Sequence, residues 1–314
     1  MPTLQKHFDT TGQSLVIAIC THCRPTLLKN LLANLEAIAV TQLADTTISI
    51  LVVDNDSNMS AKTTTANAAA TSKYNVTYLA QPIKGLSTVR NTALEFAKND
   101  DFLVFVDDDE QVENQWLEEL LANARIHNAA FVIGPVRPTF PPGTPKYFID
   151  SGLYFREEYK NGKTINGGNS GNALIDIKFI EKYAIRFRED FNKSGGEDTF
   201  FFAEVVGHGG KGVFAANAIA YEPVAADRLS IYWLIIRRCR FGATQVLSLL
   251  IAHKRINLVA FKFISLGILR ILATPLLVLL TLPFRPGLAL RYLCGGARGF
   301  GFILGAIGRN VDEY

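Results

Sequence analysis

The sequence predicts an α/β protein. Its main part is a mostly parallel sheet with helices on both faces, and an apolar, basic helical region follows. Three observations carry this expectation. Short, continuously apolar runs alternate with helix-period stretches, the pattern of strands buried on both faces. Polar and charged residues follow several of these runs, at the strand ends where α/β sheets gather ligands. Charge is unevenly divided: residues 1–228 carry 21 Lys/Arg and 27 Asp/Glu, whereas residues 229–311 carry 11 Lys/Arg and no acid. At 314 residues the chain has room for one or two domains.

Residues 1–13 read as a tail without the apolar core of a signal peptide, so the main domain is expected in the cytoplasm. Residues 14–20, Ser-Leu-Val-Ile-Ala-Ile-Cys, form the first strand, followed by Thr-His-Cys-Arg-Pro and a helix over 26–40. A second strand, 48–53, ends in Asp54-Asn-Asp-Ser57, and residues 63–72 read as a surface helix or loop. A third strand, 76–79, precedes a turn at Gly85 and a helix over 87–98; the fourth strand is 102–106. Further on, residues 135–145 are a Pro-rich crossing loop and 166–172 a polar, Gly/Asn-rich loop. Helices over 176–183 and 200–206 and a strand over 213–221 complete the domain. The expected partition is 14–228, with halves 14–110 and 111–228, followed by 229–314.

The fourth strand runs straight into Asp107-Asp-Asp-Glu110. Adjacent carboxylates remain ionised at close range only if a cation neutralises them. Mg²⁺ and Mn²⁺ prefer oxygen ligands, and Mg²⁺ commonly takes one or two carboxylates plus substrate phosphates. Extended backbone would turn Asp107 and Asp109 one way and Asp108 the other. The competing reading is a solvated acidic turn capping the helix around Trp116. Cys20 and Cys23 form a C-x-x-C, but Cys239 and Cys294 stand alone, so no tetrahedral zinc site is expected.

Five motifs in order resemble those of the family 2 glycosyltransferases, inverting enzymes with the GT-A fold. They are Val16-Ile-Ala-Ile-Cys-Thr-His-Cys-Arg-Pro25, Ile50-Leu-Val-Val-Asp-Asn-Asp-Ser57, Gly85-Leu-Ser-Thr-Val-Arg-Asn91, Phe105-Val-Asp-Asp-Asp109 and Gly195-Gly-Glu-Asp198. The resemblance spans residues 14–242. It is greatest to enzymes that build exopolysaccharide and lipopolysaccharide repeat units, as in succinoglycan assembly.

That resemblance implies roles. Thr21 and Arg24 would contact the nucleotide, Asp54 the base, and Arg90 the nucleotide or phosphate. Asp107 and Asp109 would form the D-x-D pair, for ribose and a Mn²⁺ or Mg²⁺ ion respectively; strand alternation leaves Asp108 to bind a sugar hydroxyl or stay solvated. Asp198 would be the catalytic base, with Glu197 beside it. The family's Val-x-His element is replaced here by Ile219-Ala-Tyr-Glu-Pro223, so Glu222 becomes the candidate further metal ligand and His208 a bystander. Such chemistry needs these groups: a carboxylate to take the acceptor's proton and a cation to neutralise the leaving diphosphate.

In the C-terminal region, residues 271–284 are uncharged, and extending back to 263 gives 22 residues that include Arg270. Residues 287–308 are again apolar, with Arg291 and Arg298 on one helical face. Glycines from Gly295 to Gly305 permit close helix packing. A cationic helical hairpin on anionic lipid is the first expectation, then two membrane spans, then an oligomer interface. Trp233 and Arg237-Arg-Cys-Arg240 would meet phosphates or solvent. The partners expected are a nucleotide-sugar donor, a lipid-linked or saccharide acceptor and an anionic membrane surface. They place the protein on the cytoplasmic face of the inner membrane. The acidic first domain lacks an aromatic-basic platform, which argues against nucleic acid. Two alternatives remain: a nucleotidyltransferase on the same fold, or an inactive membrane-bound sugar-binding scaffold.

Overall fold

The computed structural model describes residues 12–192, 195–252 and 256–309; residues 1–11 of the expected tail lie outside them. In chain order the elements are β1 (Gln13–Thr21), α1 (Pro25–Ala37), β2 (Thr46–Asp54), α2 (Lys62–Ala69), β3 (Asn75–Ala80), α3 (Leu86–Phe96) and β4 (Phe102–Asp107). Next come β5 (Gln111–Val112), α4 (Trp116–His127), β6 (Phe131–Ile133), β7 (Val136–Thr139), α5 (Lys146–Asp150), β8 (Thr164–Ile165), β9 (Asn172–Asp176) and α6 (Ile177–Lys182). The chain ends with α7 (Glu197–Gly207), β10 (Gly212–Phe214), β11 (Ala220–Pro223), α8 (Ile231–Ala252), α9 (Ile256–Thr281) and α10 (Pro286–Ala306).

The main sheet has eight strands in the order β3-β2-β1-β4-β9-β6-β10-β8. Its four expected strands, β1 to β4, are mutually parallel. Successive side chains of a strand face opposite ways, and the core divides accordingly. Leu15, Ile17, Ile19, Val52 and Val104 pack with Leu28, Leu31 and Leu35 of α1 and Trp116, Leu117 and Leu120 of α4. Val16, Ala18, Leu51, Val53 and Phe105 pack on the other face with Val89 and Leu94 of α3 and Phe201, Phe202 and Val205 of α7. Each fully buried side chain of this size contributes about 1.5–3 kcal/mol relative to exposure.

Three regions differ from the sequence expectation. The strand expected over 213–221 is two short strands, β10 and β11, in different sheets; a turn in which Ala218 N donates to Ala215 O separates them. The Pro-rich stretch contains β7, which joins β5 and β11 in a three-stranded sheet. The polar loop over 166–172 ends by entering β9, which runs antiparallel between β4 and β6. Asn172 at its start is fully buried. It accepts a hydrogen bond from Trp116 Nε1 at 2.8 Å and donates to Ala218 O at 2.7 Å and Pro135 O at 3.1 Å.

The chain forms two compact units. Of the described residues, the first comprises 12–137, 158–192 and 197–222; the second comprises 138–157, 195–196, 223–252 and 256–309. The 138–157 excursion belongs with the C-terminal unit, a grouping that a linear reading with a single boundary at 228 does not contain.

In the second unit, α9 and α10 form a helical hairpin. Backbone approach along it depends on glycine: a Cβ at Gly299 would lie 2.9 Å from Gly267 O, and one at Gly301 would overlap Cys239 O on α8. The stretch Asn257–Thr281 is the one described helix long and apolar enough to cross a membrane by length and composition. Arg270 lies within it. Its outer side carries exposed Leu272, Leu276, Leu279 and Leu280.

Candidate active site

Strand register brings the site together. Cys20 is opposite both Val53 and Asp107, and Thr21 is opposite Asp54, so β1, β2 and β4 end at one level. The loops leaving them therefore emerge side by side. Thr21, Arg24, Asp54, Asp107, Asp108 and Asp109 are all supplied by these three strand ends.

Asp108 is buried and fixed: its Oδ2 accepts from Thr21 Oγ1 at 2.7 Å and its Oδ1 from Arg24 Nη1 at 3.1 Å. The same Arg24 nitrogen donates to Asp109 Oδ2 at 3.2 Å. Arg24 thus clamps two neighbouring carboxylates. The strand alternation expected to turn Asp107 and Asp109 together does not apply, because β4 ends at Asp107. Asp108 and Asp109 lie in a turn that Glu110 N closes onto Asp107 O at 3.0 Å.

Asp109 carries the clearest electrostatic signature. Burial, then the charges of Asp107, Glu222 and Asp108, push its carboxyl up to about 6, against the opposing pull of Arg24. Glu222, on β11, is therefore close enough to be felt by Asp109, although sequence places the two far apart. Among the described residues no three His, Cys, Asp or Glu side chains are gathered tightly enough to cage a metal by themselves. The set Asp107, Asp109 and Glu222 is thus an electronegative patch rather than a closed coordination shell. Its oxygen-only donors and mutual repulsion suit a hard divalent ion that completes its shell with phosphate and water.

Asp54 is fully buried. Its Oδ1 accepts from Asp56 N at 3.0 Å, and its Oδ2 accepts from Ala61 N at 2.8 Å and Tyr78 Oη at 3.0 Å. In this geometry Asp54 braces the turn between β2 and α2.

Arg90 and Glu197 form a buried ion pair, with Arg90 also lying 5.6 Å from the centre of the Phe187 ring. Burial favours neutral Arg90, but Glu197 and Asp107 outweigh it and hold the guanidinium charged above its ordinary range. The other oxygen of Glu197, Oε2, is buried with no hydrogen-bond partner among the described residues. Asp198 is next in sequence and half-buried; its Oδ1 accepts from Thr199 N at 2.7 Å. The two acids at the start of α7 are therefore unlike: Glu197 is buried against Arg90, and Asp198 is half-buried in the helix's first turn. A carboxylate in a first turn also faces the favourable end of the helix dipole.

Sequence reading did not single out the residues that hold these loops. Asn55 donates to Gln81 O at 2.7 Å and Ile83 O at 2.8 Å and accepts from Gly85 N at 3.0 Å, fixing the Gly-Leu-Ser loop beside the β2 end. Asn192 accepts from Ser87 N at 2.9 Å, and a Cβ at Gly85 (φ 152°) would overlap it. Gly171 leaves room for two carboxylates: a Cβ there would come within 2.8 Å of Glu110 Oε1 and 2.9 Å of Asp107 Oδ2. Asn55, flanked by two aspartates, could have been suspected from sequence; Asn192 and Gly171 carry no local signal. His208 is exposed, tilted against the Tyr183 ring at 4.8 Å between centroids. Cys20 and Cys23 are both free thiols, and burial pushes Cys20 up to about 12.

A mostly parallel α/β sheet with this carboxylate–arginine cluster at its carboxyl edge is the architecture of a GT-A type of enzyme. The Glycosyl transferase family 2 model matches residues 16–184. The chain is also 34% identical over 245 residues to the succinoglycan biosynthesis protein ExoM of Rhizobium meliloti, covering 78% of this chain and 76% of that one. The chain belongs to glycosyltransferase family 2 and is a glycosyltransferase. Among solved structures, S. aureus TarS 1–349 in complex with UDP-GlcNAc superposes with a TM-score of 0.54 at 15% identity, over 95% of this chain and 93% of that one. The same fragment with UDP gives 0.51 at 15% identity, over 92% and 89%. The chain spans 45% of the longer TarS chain. At these identities the likeness is one of fold.

Proposed function

We propose that the protein transfers a sugar from a nucleotide-sugar donor to a saccharide acceptor carried on a lipid, in cell-surface polysaccharide assembly. The transfer proceeds with inversion, assisted by a divalent metal, at the cytoplasmic face of the membrane. The observation that carries this reading is Asp109: a carboxyl pushed up to about 6 by burial and then by Asp107, Glu222 and Asp108, at the common end of β1, β2 and β4. Such a cluster is stabilised by what a nucleotide-sugar complex brings, a cation with phosphates. The relatives support the same reading, since ExoM is named for succinoglycan biosynthesis and TarS is seen with UDP-GlcNAc.

Asp109 and Asp107, with Glu222 behind them, would hold Mn²⁺ or Mg²⁺, whose contribution is to neutralise the leaving diphosphate. Thr21 and Arg24 hold Asp108 and so fix the turn that presents Asp109. Asp198 takes the proton of the acceptor hydroxyl. The hydroxyl oxygen then forms the new bond to the anomeric carbon from the face opposite the diphosphate. The old C–O bond breaks and its electron pair leaves with the phosphate. Arg90 acts as a positioning residue, holding Glu197 and with it the first turn of α7 that carries Asp198.

A nucleotidyltransferase would need a phosphate-gripping loop after β1, and Arg24 in that loop is committed to Asp108 and Asp109. The test is a screen of UDP-, GDP- and dTDP-sugars with Mn²⁺ and membrane extract as acceptor source, scored by released nucleoside diphosphate. Asp198→Ala is expected to lower turnover about 10²–10⁴-fold. Release of diphosphate from nucleoside triphosphates instead, or full turnover by Asp198→Ala, would overturn the reading.

A further inference from the structure

The second unit contains a cavity of about 520 Å³ that the transfer chemistry does not use. Arg238 of α8, Arg270 of α9 and Arg291 and Arg298 of α10 line it, and no lining residue is acidic. None of the four makes an ion pair among the described residues. Two of them are incompletely satisfied: the Nε groups of Arg238 and Arg298 are buried without a hydrogen-bond partner. Other contacts hold the side chains in place. Arg238 Nη2 donates to Leu153 O, and Arg298 Nη2 donates to Gln245 Oε1 at 2.7 Å. Arg270 and Arg298 lie 5.0 and 5.8 Å from the Phe302 ring centre.

Gathering four like charges around one space without a counter-charge is unfavourable. Burial, then Arg270 and Arg238, depress the pKa of Arg298, and burial depresses that of Arg238. A bound anion would relieve this repulsion and satisfy the buried N–H groups. Guanidinium forks match phosphoryl oxygens bidentately, and four of them suit a phosphate or diphosphate better than a single carboxylate. The position narrows the source. Leu269 lines the cavity and is 64% exposed, and it leads into the exposed row Leu272, Leu276 and Leu279 on the membrane-compatible helix. A hydrocarbon chain attached to the phosphate would find a continuous apolar surface there.

We infer that this cavity binds the phosphoryl head group of an amphiphilic lipid, with the hydrocarbon chain along the exposed leucines of α9. Its lining residues are not those of the carboxylate cluster, and its test does not require sugar transfer.

The full-length protein is floated with phosphatidylcholine vesicles containing either phosphatidic acid or phosphatidylserine at matched surface charge. Wild type is expected to prefer phosphatidic acid. Arg298→Gln and the exposed Arg291→Gln are each expected to weaken that preference roughly tenfold, leaving binding to plain phosphatidylcholine unchanged. Arg298→Lys, which keeps charge but loses the fork, is expected to fall between wild type and Arg298→Gln. Circular dichroism checks that each variant is folded, and Arg291→Gln tests the site even if the more buried change disturbs folding. Unaltered phosphatidic acid preference in both Gln variants would overturn the inference. So would equal binding of both anionic vesicles, which would assign the effect to surface charge. Titration with inorganic diphosphate separates the sources: variants that lose diphosphate binding but keep their lipid preference would mark a site for a soluble anion and refute the lipid assignment.

Discussion

Replacing Asp109 by Asn should make the protein more stable and less active. In the folded chain the carboxyl titrates at about 6, against an ordinary 3.8. Its folded pKa is raised, so the native state binds the extra proton between these values. Stability contributed by that proton is present below about pH 4 and is lost as pH rises through 6. A difference of this size corresponds to about 3 kcal/mol at neutral pH. The Asn variant removes that cost, in which the opposing pull of Arg24 at 3.2 Å is already counted. The expectation is about 3 kcal/mol of stabilisation at pH 7.5, or about 6–12 °C in the unfolding midpoint of a domain this size. The gain should shrink toward zero or reverse near pH 4, where wild-type Asp109 is itself largely protonated. Unfolding midpoints of both proteins across pH 4–8 make the comparison. Mn²⁺ with nucleoside diphosphate should raise the wild-type midpoint and leave that of Asp109→Asn largely unmoved. A variant less stable than wild type at pH 7.5, or a difference independent of pH, would refute the claim that crowded carboxylates destabilise this corner in the absence of a cation.

Breaking the buried pair by Glu197→Gln or Arg90→Met should each cost about 3–5 kcal/mol, while the double variant Arg90→Met/Glu197→Leu recovers much of the loss; chemical denaturation measures all three. Asn172→Ala takes this partner from Trp116 Nε1 and Ala218 O, while Pro135 O keeps its bond from Ala220 N. It should cost about 3 kcal/mol by the same assay, allowing for the unsatisfied groups. Replacing the exposed Leu272, Leu276 and Leu279 by Gln should shift the protein from the membrane to the soluble fraction without unfolding it, because these side chains pack against little of the protein. Unchanged fractionation would count against the membrane role of α9.

Much of the fold was legible because local pattern and tertiary environment agree in the first four strands. Each is short, continuously apolar and buried on both faces, so composition alone marks β1 to β4 and the polar ends that follow them. β6 and β9 escaped notice for the opposite reason. They are three and five residues long, and β9 opens on a buried asparagine that reads as loop. The same limit explains the misread strand over 213–221: two neighbouring segments of similar composition pair with different sheets, and only the pairing separates them.

The residue types of the site were set by the sequence on its own. Carboxylates end the fourth strand, another pair opens α7, and a C-terminal stretch without acids carries arginine among apolar residues. Their working relations were decided by the tertiary structure. Glu222 bears on Asp109, Arg90 closes on Glu197, Arg24 joins Asp108 to Asp109, and four arginines from three helices meet at one cavity. Chemical identity is written residue by residue. Electrostatic coupling, by contrast, depends on distance through space and on exclusion of water, and neither quantity exists until strands far apart in the chain are brought into register.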